Sequence, residues 1–205
     1  MDIKMSRRSH TKKRLTPPKF LDPLELVLWE LEHTRFPLCT TRKNISNDGV
    51  QAFALGYVNY RGQAAVQYRT KGPSRFNKKF KSLYKSLRAL IRYYDPDFKY
   101  TTIQVNKNVF CNPHVDKNNM GPSYGIALGD FTGGKLVVEG KEFNIHNKFL
   151  QFDGRKGHWI TPFEGTRYSI IYFNHTFLPP HPSLKNIEVT HEGLYQNGNL
   201  IKSYE

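Results

Sequence analysis

His114 and Asp116 stand two residues apart in the run Asn-Pro-His-Val-Asp, just behind a β-rich segment. In a strand, residues i and i+2 point to the same side, so an imidazole and a carboxylate at this spacing can grip one ion together. A second imidazole, His158, opens another β-rich run 42 positions beyond Asp116. Two imidazoles and one carboxylate on one face of a metal leave the opposite face open, which is the facial arrangement of non-haem Fe(II) oxygenases. The open positions are where a cosubstrate and dioxygen can bind together. The chain holds eight histidines, so this pattern also arises by chance and needs a second signal beside it.

That signal lies nine positions after His158, in Arg167-Tyr-Ser-Ile-Ile-Tyr-Phe. The run reads as a buried strand, and alternation puts Arg167 and Ser169 on one face. A buried, unpaired guanidinium costs several kcal/mol, so an arginine pointing inward needs an anion. A dicarboxylate cosubstrate would supply it. The internal alternative is a nearby acid such as Asp130 or Asp153.

The elements that must position these residues fall into two halves. Asp22 can cap a helix begun by Pro23, with Leu24, Val27, Leu28 and Leu31 on one face. Two extended segments, Gln51 to Asn59 and Gln63 to Tyr68, are expected as a hairpin around Arg61-Gly62. A second helix is expected from about Arg75 to Tyr94 behind Ser74, since Phe76, Phe80, Leu83, Tyr84, Leu87, Leu90, Ile91 and Tyr94 recur at helical spacing. From Tyr100 onward the period becomes two, with strands expected over 101–106, 123–129, 135–139, 142–146, 148–152, 158–163 and 166–173. Helices confined to the amino-terminal half, followed by many short strands, predict an α+β fold whose β-sandwich or jelly-roll core, at about 100–178, is buttressed by amino-terminal helices. Residues 1–18 read as a basic disordered arm and 19–205 as one domain, in which 179–205, opening with Pro179-Pro180 and Pro182, form an irregular extension.

Charge points to the partner. The chain carries +14, and the stretch through Arg14 has six basic residues and one acid, a net +5 that leaves +9 on the rest. Such a protein attracts polyanions, and nucleic acid is the expected partner. Lys78, Lys81, Lys85 and Arg88 lie on the polar face of the second helix with no acid among them. They are candidates for phosphate contact, the alternative being a merely solvated face. No run of about 18 apolar residues exists to span a membrane, and the amino terminus is charged where a signal peptide would be apolar. Two cysteines, Cys39 and Cys111, are too few for a disulfide framework. The expectation is a monomer inside the cell, nuclear in a eukaryote and cytoplasmic otherwise.

The segment YTTIQVNKNVFCNPHVDKNNMGPS, then ALGDFTGGKL and GHWITPFEGTRYSIIYF, resembles the 2-oxoglutarate and Fe(II)-dependent dioxygenases of the TET and base-J-binding-protein (JBP) group. Those enzymes hydroxylate the methyl of 5-methylcytosine or of thymine in nucleic acid. The resemblance covers Tyr100 to Asn174, is weaker over 50–99, and does not reach the basic arm or the carboxyl-terminal extension. It implies a double-stranded β-helix and a requirement for Fe(II), 2-oxoglutarate and O₂. His114, Asp116 and His158 would bind the iron. Arg167 would pair with the far carboxylate of 2-oxoglutarate, and Ser169 would hydrogen-bond it. Asn119, three residues after Asp116, and His175, eight after Arg167, stand where the group places residues that read the base, and Phe173 stands where an aromatic stacks on it. AlkB-like repair dioxygenases usually add a second Arg six residues after the first, where Phe173 is here.

The three base-facing residues have ordinary alternatives: Asn119 capping the turn before Gly121, Phe173 in the core, His175 exposed. The group often has a basic residue shortly before the H-x-D for the near end of 2-oxoglutarate, but Val109 and Phe110 precede Cys111 here. Asn106, pointing inward from the preceding strand, is the expected substitute, with His146 a second candidate. The implied activity is hydroxylation of a 5-methylpyrimidine, in DNA before RNA, giving the hydroxymethyl base, succinate and CO₂. The rival readings are a 2-oxoglutarate-dependent hydroxylase of protein side chains and a non-catalytic nucleic-acid-binding module.

Overall fold

A computed structural model of the chain describes residues 17–19, 22–42, 45, 48–59, 71–175, 187–189, 193–196 and 199–203. The basic arm up to residue 16 and the expected strand Gln63 to Tyr68 lie outside the described residues. No helix among the described residues is long and apolar enough to cross a membrane.

Helix α1 (Pro23–Glu32) starts as its sequence requires. Asp22 Oδ1 accepts from the amides of Leu24 and Glu25 at 2.7 and 2.9 Å, while Glu25 Oε2 accepts from the Asp22 amide at 3.2 Å, a reciprocal cap. Val27 and Leu31 are buried, with Leu24 and Leu28 packed beside them.

The single helix expected over 75–94 is instead two, α2 (Phe76–Lys79) and α3 (Lys81–Tyr94). Ser74 Oγ accepts from the Phe76 amide at 3.1 Å, so the start is where the sequence placed it. At Phe80 the backbone leaves the helix (φ −116°, ψ 42°). The break lets the Phe76 and Phe80 rings both close on Phe53, at 5.6 and 4.5 Å between centroids. Ser82 then donates to Glu30, tying α3 to α1.

Strands are numbered in chain order. The large sheet is antiparallel and runs β1 (Leu38–Cys39), β2 (Val50–Asn59), β4 (Thr102–Lys107), β12 (Tyr168–His175), β5 (Asn119–Leu128), β9 (Leu150–Phe152), with β3 (Lys71–Pro73) also paired to β2. Two small ladders accompany it: β10 (His158–Ile160), β7 (Leu136–Val138) and β8 (Lys141–Phe143), and β11 (Phe163–Gly165) with β6 (Phe131–Gly133). The strand expected over 158–163 divides because Pro162 has no amide to donate; the Thr161 amide goes to Lys135 O at 3.0 Å, and Pro162 O accepts from Gly134. The expected 142–146 strand is Lys141–Phe143, and His146 makes only an isolated bridge to Ala127.

Alternation along the large sheet separates two interiors. Ile103 and Val105 of β4, Ile126 and Leu128 of β5 and Ile170 and Tyr172 of β12 form the main core with Leu83, Leu87 and Ile91 of α3. On the other face, Ala127, Phe131, Leu136, Ile145, Phe152 and Ile160 form a smaller core between the sheet and the small ladders. The carboxyl-terminal part is not irregular throughout. It contains an antiparallel ladder of β13 (Ile187–Val189), β14 (Gly193–Gln196) and β15 (Asn199–Ser203). Gln196 pairs with Asn199, and the intervening Asn197-Gly198 in the sequence is the two-residue hairpin signal that could have found it.

Candidate metal centre and cavity

His114 and His158 are joined through their backbones, each amide donating to the other's carbonyl at 3.0 Å. Residues 114–116 are therefore not a continuous strand, as spacing suggested, but one bridge residue followed by a turn. Asp116 is brought round by its amide, which donates to Gly154 O at 2.8 Å, and its own carbonyl accepts from the Asn119 amide at 3.0 Å. The result is what the sequence required: the ligand atoms of His114, Asp116 and His158 lie within 4.8 Å of one another. His114 Nδ1 sits 2.8 Å from Asn112 O, and His158 Nδ1 sits 2.9 Å from Lys156 O. Both contacts direct Nδ1 to a carbonyl and leave Nε2 facing the cluster, the outer-shell arrangement that orients metal-binding histidines.

Burial holds the His158 imidazole below its ordinary pKa, and the adjacent His114 adds to this against the opposing pull of the Lys156 carbonyl and Asp116. His158 Nε2 approaches Asp116 Oδ2 at 3.8 Å, so the two candidate ligand atoms lie side by side. The carboxylate's side chain is 46% exposed, so one flank of the centre is open. Two imidazoles and a carboxylate within reach of one point fit a divalent first-row cation.

Arg167 is 1% exposed, and its Nε and Nη2 have no hydrogen-bond partner. Neither internal acid reaches it: Asp153 holds Arg155 at 2.8 Å, and Asp130 is exposed. Its guanidinium lies 5.4 and 5.6 Å from the centroids of the Phe131 and Phe163 rings. Burial pushes its pKa down to about 10, with the Cys111 thiol opposing. A cation so placed, with two unspent N–H groups, is a receptor for an anion. Gly134 makes room for it: at φ +63°, an added Cβ would stand 2.9 Å from Arg167 Nε.

A cavity of about 1120 Å³ contains all of this. Arg167, Ser169, Ile171, Phe173 and His175 line it from one side of β12 and its entry, and Thr102, Gln104 and Asn106 line it from β4. Asn106 is buried and donates through Nδ2 to Ser169 Oγ at 3.1 Å. Asn119 is 5% exposed, lies opposite His175 in the β5–β12 ladder, and its Nδ2 is unpartnered. The Phe173 ring meets His175 edge-on at 4.8 Å. Gly154 permits this crowding, since a Cβ there would come 3.0 Å from Asn119 Nδ2 and 3.6 Å from Asp116 Oδ2.

Other expected residues lie elsewhere. His146 Nε2 sits 2.9 Å from Gly129 O and its ring packs on Phe131, outside the cavity lining. Lys78, Lys81 and Lys85 are exposed and Arg88 lies over Tyr84, but α3 packs on the sheet face opposite the cavity, so Lys81, Lys85 and Arg88 are not brought to its mouth. The cavity's added cations are Arg75, which opens the basic face expected over 75–94, and Arg42 and Lys117, which the sequence did not single out. Arg42 comes from the irregular turn after β1, and only a contact across 64 residues reveals it.

No protein-family model matches the chain, and no curated protein matches it significantly. Among solved structures, NgTET1 in complex with 5mC DNA superposes with a TM-score of 0.50 and 17% identity, over 65% of this chain and 64% of that one. The chain thus spans a little under two thirds of that protein's length, and the likeness shows a shared fold. A 2OG-Fe(II) oxygenase family oxidoreductase from Burkholderia pseudomallei superposes with a TM-score of 0.48 and 16% identity, over 71% of this chain and 74% of that one.

Proposed function

We propose that this protein is an Fe(II)- and 2-oxoglutarate-dependent dioxygenase that hydroxylates the 5-methyl group of a pyrimidine in nucleic acid, with DNA as the favoured substrate. We read its large sheet and facing ladders as the two halves of a double-stranded β-helix. One observation carries the proposal. A single row of side chains along β12 begins with a buried, unpartnered Arg167 and ends with Phe173 and His175 opposite Asn119, and the His-Asp-His cluster lines the same cavity.

In this reading His114, Asp116 and His158 hold the metal, and Arg167 with Ser169 takes the far carboxylate of 2-oxoglutarate. Iron bound there would supply the oxidation of a methyl C–H by O₂, with the cosubstrate leaving as succinate and CO₂. The remaining work is the chain's own. A base inside a duplex cannot reach the centre, so it must be extruded into the cavity. Phe173 offers a stacking face, and Asn119 Nδ2 and the His175 ring offer polar groups for its edge. Arg75 and Lys117 at the lining suit the flanking phosphates, and the +14 charge supports a polyanionic substrate. The fold shared with NgTET1, solved with 5mC DNA, agrees with this reading.

The test is mass spectrometry of nucleosides from 5-methylcytosine-containing and unmodified DNA after incubation with Fe(II), 2-oxoglutarate and ascorbate. A hydroxymethylpyrimidine is expected, and the DNA that yields it separates 5-methylcytosine from thymine. Turnover of 2-oxoglutarate with no oxidised base on either DNA would overturn the substrate in favour of a protein side chain. No 2-oxoglutarate turnover would leave a nucleic-acid-binding module.

A further inference from the structure

We infer that α2 and α3 carry a second nucleic-acid surface, separate from the cavity, which holds the phosphate backbone of the substrate beyond the reacting base; this rests on the nucleic-acid reading above. Charge is concentrated there. Residues 75–94 hold seven Lys and Arg and no acid, so twenty residues carry +7 of the net +14. Charge that served only solubility would be spread over the surface and interleaved with acids.

The cations are also aligned. Lys81, Lys85, Arg88 and Arg92 follow one another at spacings of four, three and four, which sets them in one row along α3. At 1.5 Å per residue the row is about 16 Å long. It can face several phosphates of one strand, whose charges fall every ~3.4 Å along a duplex. Leu83, Leu87 and Ile91 turn the other side of α3 to the main core, so the row points outward: Lys81, Lys85 and Arg92 are exposed, and the Arg88 guanidinium sits 5.6 Å from the Tyr84 ring centroid. The acids of α1 meet a different flank, where Ser82 donates to Glu30. At the Phe80 break, Lys78, Lys79 and Lys81 border a hollow of about 370 Å³ in which Glu30 is the one acid among the described residues. Lys78, Lys81 and Lys85 make no ion pair among the described residues. Arg75, just before α2, lines the main cavity, so the cations run from that cavity through α2 onto the back of the sheet. This continuity favours the nucleic acid that enters the cavity over an anionic lipid surface, the other polyanion such a row could meet.

Fluorescence anisotropy of the full chain with a labelled, 5-methylcytosine-containing duplex of about 30 base pairs, titrated between about 50 and 200 mM salt, tests this. Lys81→Gln combined with Lys85→Gln should weaken binding roughly tenfold or more near 0.1 M salt. It should also lower the slope of log K against log salt by about two, at ~0.9 per phosphate contact. Lys81→Arg with Lys85→Arg, which keeps the charge, should bind as the parent does. Lys141→Gln with Lys148→Gln removes the same charge from exposed positions outside both cavities and should leave the slope unchanged. A Lys81/Lys85 variant that keeps the parent's slope, or a Lys141/Lys148 variant that loses as much, overturns the inference while the nucleic-acid reading stands. Loss of binding to phosphatidylserine vesicles in the Lys81/Lys85 variant, with duplex binding unchanged, would give the row to a membrane and overturn the inference as well. A parent protein that binds no duplex anywhere in this salt range overturns the nucleic-acid reading itself.

Discussion

Replacing Arg167 with Met should make the empty protein more stable and the cosubstrate response disappear. The two side chains are similar in length and both fill the space between Phe131 and Phe163, so no large void is created. The guanidinium's pKa is pushed from 12.5 down to about 10 by burial, and at 1.36 kcal/mol per pKa unit the charged form carries a cost of ~3 kcal/mol. Its ring contacts return ~1–2 kcal/mol, which Met keeps only in part. The net gain expected for Arg167→Met is therefore about 1–2 kcal/mol, or a Tm rise of roughly 2–8 °C in a domain of this size. Against this, the variant loses the two N–H groups, Nε and Nη2, that stand unpartnered. Two charge-assisted hydrogen bonds at ~1.5–3 kcal/mol each amount to about a hundredfold or more in affinity. Scanning calorimetry with and without 2-oxoglutarate, on the Fe(II)-loaded protein without O₂, reads both quantities at once. A variant that melts earlier than the parent and keeps the parent's 2-oxoglutarate shift would refute both halves of the reasoning.

Asp116→Ala should cut Fe(II) or Mn(II) affinity on the order of a hundredfold or more while far-UV dichroism stays unchanged, because only its backbone holds the local turn; equal metal content after dialysis would remove Asp116 from the centre. Asn119→Ala should lower base oxidation roughly tenfold, at ~1–3 kcal/mol for a lost desolvated hydrogen bond, while uncoupled 2-oxoglutarate decay persists; unchanged base oxidation would place the substrate elsewhere. Gly134→Ala forces a Cβ to 2.9 Å from Arg167 Nε at φ +63°, so it should weaken 2-oxoglutarate binding and cost about 1–2 kcal/mol of stability without altering metal content, and unimpaired binding would show that the guanidinium can move at no cost. Burial pushes the Tyr84 phenol up to about 12, against the opposing pull of Arg88, and raises Tyr100 and Tyr172 as well. The folded protein keeps protons that unfolded tyrosines release near 10, so stability should fall as pH rises from 10 through about 12; tyrosinate absorbance complete near pH 10 with the dichroism intact would contradict this.

What the sequence disclosed about the site follows from how local the signals were. Arg167, Ser169, Phe173 and His175 share one strand and one period, so alternation alone aligned them. His114 and Asp116 were found by a strand spacing that does not hold; the turn after His114 and the Gly154 carbonyl bring the carboxylate to the same place by another route. Arg42 could not be found this way, because the turn that carries it has no periodicity and its partner is 64 residues off. The break at Phe80 was hidden because helical spacing continues through it, and what interrupts the helix is a distant ring, Phe53. Phe131–Gly133 and Phe163–Gly165 were missed because each is a three-residue ladder beside glycine and proline, which reads as a turn. The charged face of α3 was legible as a pattern, but which side of the sheet it would occupy depends on packing that no local window contains.

The alternation along β12 also bears on how the protein can change. Tyr168, Ile170 and Tyr172 are committed to the main core, while Ser169, Ile171 and Phe173 between them meet only the cavity and the smaller core. Libraries confined to 169, 171 and 173 can therefore explore new ligands while the helix-packed core is left intact, so this strand is a natural seat of evolvability. Insertions and deletions are a different matter. Removing one residue between 168 and 172 would carry phenol rings into the ligand space and a serine into the core across every position up to the irregularity at Phe173. Changes of length in this strand should therefore be tolerated far less than substitutions at its cavity-facing positions.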